Sequence, residues 1–237
     1  MPTPSPVSQP SPPVTLSTNA SLLTRLRVAR RCLKELRKDP TNPTYGQLFN
    51  QTLNGGLYAA LAQRLRHEEE GRRLLSERPS LEGKVLDLAA LERLPEGTLG
   101  HEFARYFRDN AISPFETTLE LKNDVDYLSK RYRETHDLLH VLTGYATDVM
   151  GEMELQAYVL GNVGIRTSAF VLLSNTIEHF KHPKAGIDRS EYLRRVWAAY
   201  HRGVASPLFL GFWFEHHWET PVAVLRERLC APAQRLN

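Results

Sequence analysis

Two histidines four residues apart, His136 and His140, restrict what this chain can fold into more than any other feature of its sequence. On a helix this spacing places both imidazoles on one face, one turn apart, where they can share a divalent ion. Glu152 follows after eleven further residues, and Gly144 interrupts the helical pattern between them. If the second helical run folds back antiparallel, its carboxylate reaches the histidine pair. The stretch therefore predicts two turn-linked helices that hold a metal.

Asp137 flanks the same face, because neighbouring residues on a helix are rotated by about 100°. Two imidazole nitrogens and one or two carboxylate oxygens suit zinc, iron or manganese, and they leave coordination positions open for water or substrate. A lone helical histidine is more often structural, so the prediction depends on the whole set. We predict one divalent metal, with zinc as first choice and iron, manganese or magnesium as alternatives. Its predicted ligands, which are also the predicted catalytic residues, are His136, Asp137, His140 and Glu152.

Three cations, Lys130, Arg131 and Arg133, lie within two turns of the first histidine. A bidentate guanidinium beside a metal is suited to binding a carboxylate or a phosphate, so we predict these three residues as substrate-binding. The pattern is equally consistent with cations that solvate the helix or pair with Glu134 and Asp137.

Helical periodicity accounts for the rest of the chain, and no segment shows the alternation of a strand. Helices are predicted over residues 21–38, 48–65, 88–94, 98–110, 124–141, 147–160, 168–180, 191–203 and 206–218, and residues 221–229 close the chain. Gly161, Gly164 and Thr167 are predicted to break the helix that bears Glu152. Residues 1–20 are rich in proline and serine and carry no charge, which is typical of a disordered tail. We predict an all-α fold, with residues 21–237 as a single-domain bundle of roughly eight to ten helices.

Composition excludes several classes of protein. The net charge of +3 is too small to indicate nucleic-acid binding, and no apolar run approaches the ~18–20 residues of a membrane-spanning helix. The two distant cysteines suit a reducing compartment. The strongly basic face of residues 21–38 is either solvated or placed against anionic lipid headgroups, which predicts a peripheral membrane contact as one alternative.

The run RYRETHDLLHVLTG, followed by GEMELQAY, resembles the coenzyme Q (ubiquinone) biosynthesis protein family, the fourth in its naming series. Its members carry HDxxH, eleven residues and then Glu, preceded by RYRE. The resemblance extends upstream through residues 71–79, 86–114 and 124–137, becomes loose after Tyr158 and does not cover the first twenty residues. It implies a metal-dependent decarboxylase acting on a polyprenyl benzoate, whose ring carboxylate is removed with oxygen introduced in its place.

The resemblance also implies roles for particular residues. The four predicted ligands would hold the metal, and Arg131 or Arg133 would steady the carboxylate. Residues 151–180, rich in small and apolar side chains, favour tight helix packing when the sequence is taken alone, whereas the resemblance implies that they enclose the prenyl tail. A non-catalytic prenyl-lipid carrier or scaffold for other quinone-biosynthesis proteins needs the same ligands and cavity, so that alternative stays open. The aromatic run at residues 209–218 is core, a homodimer surface or a membrane contact.

Three further expectations complete the sequence-based picture. After Glu152 the family tends to continue through a KWFE-like segment that this chain lacks, which leaves the identity of the prenyl lipid open. The N-terminal segment offers no clear mitochondrial address, so we expect a bacterial protein, cytoplasmic and peripheral to the membrane, with the matrix side of the mitochondrial inner membrane as the alternative. An HD-type phosphohydrolase would have to use His101 and Asp148, and it leaves His140 and Glu152 unexplained.

Overall fold

The computed structural model describes residues 20–39, 42–117, 120–182 and 187–232. Apart from Ala20, the tail predicted at residues 1–20 lies outside these ranges. Within them the chain forms ten α-helices and two short 3-10 turns, and the β-type pairing found there is one isolated bridge between Thr98 and Pro221. The prediction of an all-α fold with roughly eight to ten helices is confirmed.

Eight helices follow the predicted order with shifted boundaries, whereas those at Glu69–Glu77 and Val222–Leu229 were not predicted as helices. In chain order the helices are α1 (Leu22–Lys38), α2 (Pro43–Arg66), α3 (Glu69–Glu77), α4 (Leu88–Glu92), α5 (Leu99–Asn110), α6 (Asp124–Thr143), α7 (Val149–Val163), α8 (Arg166–Lys181), α9 (Arg189–Ala205) and α10 (Val222–Leu229), with the 3-10 turns Phe209–Gly211 and Phe214–His216 between the last two. Seven of them begin at a side chain that accepts a hydrogen bond from the first turn, namely Ser21, Asn42, Asp87, Thr98, Asn123, Asp148 and Asp188. Such caps are a local signal, which is why most helix starts were predictable.

The helix α6 lies at the centre of the fold. It packs against α2, α5, α7, α10 and the first 3-10 turn. Of its 20 residues 15 are buried, and Leu128, Leu138 and Leu139 join the main hydrophobic cluster. A helix surrounded in this way has a fixed position, and its side chains point from a rigid element.

The C-terminal end of α6 is held by arginines from distant helices. The Nε atom of Arg226 donates to the carbonyl oxygen of Leu142 at 2.8 Å, and Nη1 of Arg202 donates to that of Thr143 at 2.9 Å. Gly144 then ends the helix with φ 77°, a conformation that favours glycine. Carbonyls that have no partner inside α6 therefore find one in the side chains of α9 and α10.

The helices α7 and α9 cross closely because each carries a glycine at the crossing. A Cβ atom on Gly161 would collide with the carbonyl oxygen of Tyr200, and one on Gly203 would collide with that of Tyr158. The prediction that Gly161 breaks α7 is wrong, because the helix continues to Val163 and is capped by Gly164 at φ 81°. Gly161 is needed for helix packing and not for termination.

The helix predicted over residues 206–218 is also wrong, since this segment forms two 3-10 turns. Its aromatic side chains Phe209, Phe212, Trp213 and Phe214 are all buried. Three consecutive buried side chains point in different directions on a helix, so one helix lying on a core could not bury them all. Among the three alternatives for this aromatic run, the structure supports the core.

The helix α8 leaves much of its apolar surface uncovered. Phe170, Leu173, Ile177 and Phe180 are exposed, while Ser168 and Leu172 on the opposite side are buried. No helix within the described ranges is both long and apolar enough to cross a membrane.

Candidate metal centre

The second half of α6 and the first turn of α7 bring three of the predicted ligands together. The Nε2 atom of His140 lies 3.1 Å from one carboxylate oxygen of Glu152, and Nε2 of His136 lies 3.5 Å from the other. One ligand atom of each residue lies within 4.8 Å of the other two. The carboxylate therefore spans the histidine pair, as the spacing of the sequence predicts.

A tight turn places Glu152 against the histidines. Gly144 reverses the chain, and Asp148 caps α7 by accepting a hydrogen bond from the backbone N–H of Gly151 at 2.7 Å. Gly151 itself lies against Ala146, where a Cβ atom would collide with the backbone. The compactness of this turn makes α7 fold back on α6 within a few residues, so that Glu152 enters the site in its first turn.

Burial and hydrogen bonding shift the pKa values of His140 and Glu152 in opposite directions. Burial alone would lower the pKa of His140, but hydrogen bonds to Glu152 and to the carbonyl oxygen of Tyr145 raise that pKa above its ordinary value. Burial alone would raise the pKa of Glu152, but hydrogen bonds from His136 and His140 hold it well below its usual range. Glu152 is therefore ionised, which is the state that a metal ligand requires.

The three residues fit a divalent ion. The Nδ1 atom of His140 donates to the carbonyl oxygen of Tyr145 at 2.9 Å, an outer contact typical of metal-binding histidines. The side chain of His140 is 1% exposed, whereas that of Glu152 is 35% exposed, so one side of the group faces outward. Two nitrogens and a carboxylate with an open side match the ligand set of catalytic zinc sites.

Asp137, the fourth predicted ligand, is not part of this three-residue group. Its carboxylate accepts a hydrogen bond from the hydroxyl of Tyr106 at 3.4 Å. The ring of Tyr106 in turn stacks on the imidazole of His140, with centroids 5.7 Å apart. The sequence did not reveal this contact, because it depends on how α5 packs against α6.

Lys130 and Arg131 are buried and form ion pairs with carboxylates of the same chain. Lys130 forms ion pairs with Glu134 and, at 3.3 Å, with Glu82, and its side chain is 4% exposed. Arg131 donates to the carboxylate of Glu215, one of the two contacts being 2.8 Å. For Lys130 this is the pairing that the sequence left open as the alternative. A substrate-binding role for either cation stays a prediction.

Arg133 differs from these two cations. It is partly exposed, and its guanidinium lies 5.4 Å from the ring centroid of Phe115. Its Nε atom is buried and, like that of Arg131, has no hydrogen-bond partner within the described part of the chain, but its guanidinium has no carboxylate partner there, whereas that of Arg131 pairs with Glu215. Because Arg133 lies one turn before His136, it is the cation of the three that remains suited to an anion at the site.

A second polar group continues the site along α6 and α7. The hydroxyl of Tyr132 lies 3.4 Å from Oγ of Ser168, and the side chain of Gln156 also bonds to Tyr132. Tyr132 lies one turn before His136, and Gln156 one turn after Glu152. Burial raises the pKa of the Tyr132 hydroxyl, so it acts here as a neutral hydrogen-bonding group.

Comparisons with known proteins agree on one family. Residues 32–232 match the model for the family described as "Coenzyme Q (ubiquinone) biosynthesis protein Coq4". The protein named "Ubiquinone biosynthesis protein COQ4 homolog, mitochondrial" of Rattus norvegicus is 31% identical over 172 residues, which is 71% of this chain. Its counterpart in Homo sapiens is 30% identical over 188 residues, or 77% of this chain. The matches cover 63% and 68% of those two proteins, so the chain spans less than two thirds of the rat relative.

A solved structure shares the fold. The crystal structure of a protein from Nostoc punctiforme, described as a ubiquinone biosynthesis protein, superimposes with a TM-score of 0.69 and 26% sequence identity. The match covers 86% of this chain and 95% of that one. Similarity of sequence and similarity of fold therefore lead to the same group of proteins.

Proposed function

The chain belongs to the coenzyme Q (ubiquinone) biosynthesis protein Coq4 family, and from that premise we propose that it is a metal-dependent protein that binds a polyprenyl aromatic intermediate and supports oxidative decarboxylation of its ring. The observation that carries the proposal is the convergence of His136, His140 and Glu152 within 4.8 Å. A purely structural metal is normally enclosed by four protein ligands, whereas this group has three and an open side.

The proposed roles divide between metal and substrate. His136, His140 and Glu152 hold the ion, with zinc as first choice and iron, manganese or magnesium as alternatives, and Asp137 is kept as the fourth candidate. A bound divalent ion would polarise the ring carboxylate or lower the pKa of a bound water. Arg133, with an unpartnered buried Nε atom, would hold the carboxylate of the ring in a bidentate contact.

The reaction needs an oxidant as well as a metal. Replacing a ring carboxylate by a hydroxyl group releases carbon dioxide and oxidises the ring by two electrons. A two-electron acceptor, for which we propose dioxygen, must therefore be consumed with each turnover. The buried hydroxyl of Tyr132 and the amide of Gln156, one turn from the ligands, are suited to hydrogen bonds with oxygen substituents of the ring.

The experiment that tests this function supplies purified protein with a prenylated hydroxybenzoate, air and each candidate metal. We expect loss of the carboxylate and gain of a hydroxyl group, detected by mass spectrometry. His140→Ala should abolish conversion, while His67→Ala, which changes an exposed histidine at the end of α2, should leave it unchanged. Equal conversion by both variants would contradict a catalytic metal site.

A second candidate function is a prenyl-lipid carrier or scaffold for other quinone-biosynthesis proteins, with the metal gripping a lipid headgroup. An open apolar groove of about 610 Å³, with Ala157 and Leu160 of α7, Leu172 of α8 and Trp197 of α9 among its lining residues, favours it. Binding of the prenylated acid by the purified chain, without conversion under any metal, would support this candidate over catalysis.

Both candidates act on lipids that partition into membranes, so we propose a peripheral position at a membrane surface. The rat and human relatives are named as mitochondrial, which favours the mitochondrial alternative over the expected bacterial cytoplasm. A homodimer is also proposed and is tested together with the membrane contact below.

A further inference from the structure

Two neighbouring helices expose large apolar side chains in regular stripes. On α8 the spacing of Phe170, Leu173, Ile177 and Phe180 is three, four and three residues, which aligns them along one side of the helix. On α9 the exposed residues are Leu193, Trp197 and Val204. Scattered apolar residues on a surface need no explanation, but two stripes on adjacent elements do.

The helices α7, α8 and α9 enclose one apolar groove. Its lining includes Leu160 of α7, Leu172 of α8, and Leu193 and Trp197 of α9, and its volume is about 610 Å³. Leu193 and Trp197 belong both to the groove and to the exposed stripe of α9. The groove and the stripe of α9 therefore form one continuous apolar surface, and α8, which carries the other exposed stripe, forms a further wall of the groove through Leu172.

A strongly basic helix lies beside this surface. Both α1 and α8 pack on α2, where Phe49 belongs to the cluster that contains Cys32 of α1 and places its ring 5.8 Å from that of Phe170 on α8. At the start of α8, Arg166 donates to the carbonyl oxygen of Leu53 on α2. The helices α1 and α8 are therefore neighbours on the same helix, α2.

The charge of α1 is unbalanced. The helix has seven basic residues and one acidic residue, an excess larger than the net charge of +3 of the whole chain. The acidic residue, Glu35, already pairs with Lys38 at 2.9 Å. The exposed basic residues of α1 are Arg27, Arg30, Arg31, Lys34, Arg37 and Lys38.

We propose that this side of the protein is a docking face for an anionic lipid surface. The face consists of the apolar stripes of α8 and α9, the groove between them and the basic residues of α1. The stripes enter the boundary between headgroups and acyl chains, Trp197 lies at that interface, and the cations of α1 contact lipid phosphates. The inference gives a location to the membrane contact proposed above and does not depend on the metal centre.

Charge favours a lipid surface over a second copy of the chain. If two copies met through this face, the apolar stripes would be covered, but the cations of both α1 helices would be brought toward one another. Like charges facing each other across an interface are unfavourable, whereas anionic headgroups neutralise them. An anionic lipid surface can thus cover the apolar part of the face with acyl chains and neutralise the basic part with its headgroups, which a second copy of the chain cannot do.

The test is flotation of the full chain with vesicles of phosphatidylcholine alone and of phosphatidylcholine with phosphatidylglycerol. We expect binding to the second, weakened by salt because charge contributes to it. Leu173→Gln together with Ile177→Gln should weaken binding about tenfold or more, since both side chains leave the apolar phase. Arg27→Glu together with Arg30→Glu should weaken it about fivefold for each cation removed, on the anionic vesicles only.

Two control substitutions outside the face test whether any loss of vesicle binding is specific to the face. Val85→Gln changes a valine that is 62% exposed, the same fraction as Leu173, and Arg93→Glu reverses an exposed charge outside the face. Both controls should bind as the unaltered chain does. Absence of binding by the unaltered chain, or unchanged binding by both face variants, would overturn the proposal.

Light scattering and metal analysis of the same samples distinguish membrane binding from dimerisation of the chain and from loss of the metal centre. If the apolar variants lower the molecular mass in solution and leave vesicle binding unchanged, the face joins two copies of the chain and the proposal is wrong. Because the substituted residues lie outside the ligand group, metal content should be equal in all variants. If the unaltered chain bound vesicles but contained no metal, the proposed function would be wrong and the docking face would stand.

Discussion

Nδ1 of His140 lies 2.9 Å from the carbonyl oxygen of Tyr145, five residues further along the chain. A carbonyl oxygen only accepts hydrogen bonds, so this contact assigns the proton to Nδ1. Nε2 faces Glu152 at 3.1 Å, donates its own proton to that carboxylate in the metal-free protein, and becomes the ligand atom when an ion replaces this proton. The turn between the two helices thus prepares His140 as a ligand before any ion arrives.

Metal content should depend on Glu152 and not on Asp137. Glu152→Gln replaces the carboxylate that spans both histidines by a neutral amide, so we expect a fall from about one equivalent of metal to a small fraction of that. Asp137→Asn should retain about one equivalent, because His136, His140 and Glu152 form the group without it. Elemental analysis of protein purified without chelators measures both. Loss of metal from Asp137→Asn would establish a fourth ligand.

The stability of metal-free protein should depend on pH through His140 and Glu152. The pKa of His140 is raised above 6.5, so its contribution is fully present below that pH and is lost as pH rises through the raised value. The pKa of Glu152 is far below 4.5, so its contribution disappears only in strong acid. In chelator-treated samples, Glu152→Gln should therefore reduce the free energy of unfolding more at about pH 5.5 than at about pH 8.5. A difference that does not change with pH would contradict the pairing.

Lys130 should stabilise the fold. Lys130→Met leaves the carboxylate of Glu134 buried without its cation and leaves Glu82 with Lys84 alone, which should lower the free energy of unfolding by roughly 3–5 kcal/mol. Lys122→Met, at an exposed lysine, should change it by less than about 0.5 kcal/mol. Urea unfolding measures both. If Lys130→Met were fully stable but bound the ring acid weakly, the sequence-based assignment to the substrate would be correct.

Two glycines in helices should respond to alanine in opposite directions. Gly161→Ala forces α7 away from the carbonyl of Tyr200, and we expect a loss of roughly 2–3 kcal/mol in stability. Gly56→Ala, inside α2 with open space around its Cβ position, should add about 0.5–1 kcal/mol because alanine is the better helix former. Thermal unfolding of both variants measures the difference. Tolerance of alanine at residue 161 would mean that α7 and α9 separate easily.

Arg133 should contribute to affinity for the ring carboxylate. Arg133→Met removes the cation and should weaken binding of 4-hydroxybenzoate about tenfold, while Arg133→Lys, which keeps the charge but not the planar pair of donors, should have an intermediate effect. Arg93→Met, at an exposed arginine elsewhere, serves as the control. Calorimetry on metal-free and metal-loaded protein measures binding independently of turnover. Unchanged affinity in Arg133→Met would exclude this anchor.

The sequence alone predicted those features of the fold and the site that depend on interactions between residues close together in the chain. The i, i+4 spacing of His136 and His140, the turn at Gly144 and the cap at Asp148 lie within a short stretch, and together they place Glu152 at the histidines. Helix starts were predictable for the same reason, because a capping side chain acts on the next turn.

What the sequence did not reveal depends on residues that are far apart along the chain. Arg131 meets Glu215 across 84 residues, and Tyr106 meets Asp137 across 31, so neither contact has a local pattern. Gly161 looked like a helix breaker because its partner at Tyr200 was invisible. The spacing of the aromatic residues around Phe214 resembled a helix, although burial on several sides required an irregular path.

The order of synthesis matters for the two arginines of α9 and α10 that donate hydrogen bonds to the last turn of α6. Leu142 and Thr143 receive their hydrogen bonds from Arg226 and Arg202, which are synthesised long after the histidines. During translation the last turn of α6 therefore lacks these partners until the C-terminal helices have left the ribosome. The site should acquire its ion only on the completed chain, so that truncated products present histidines that cannot retain metal.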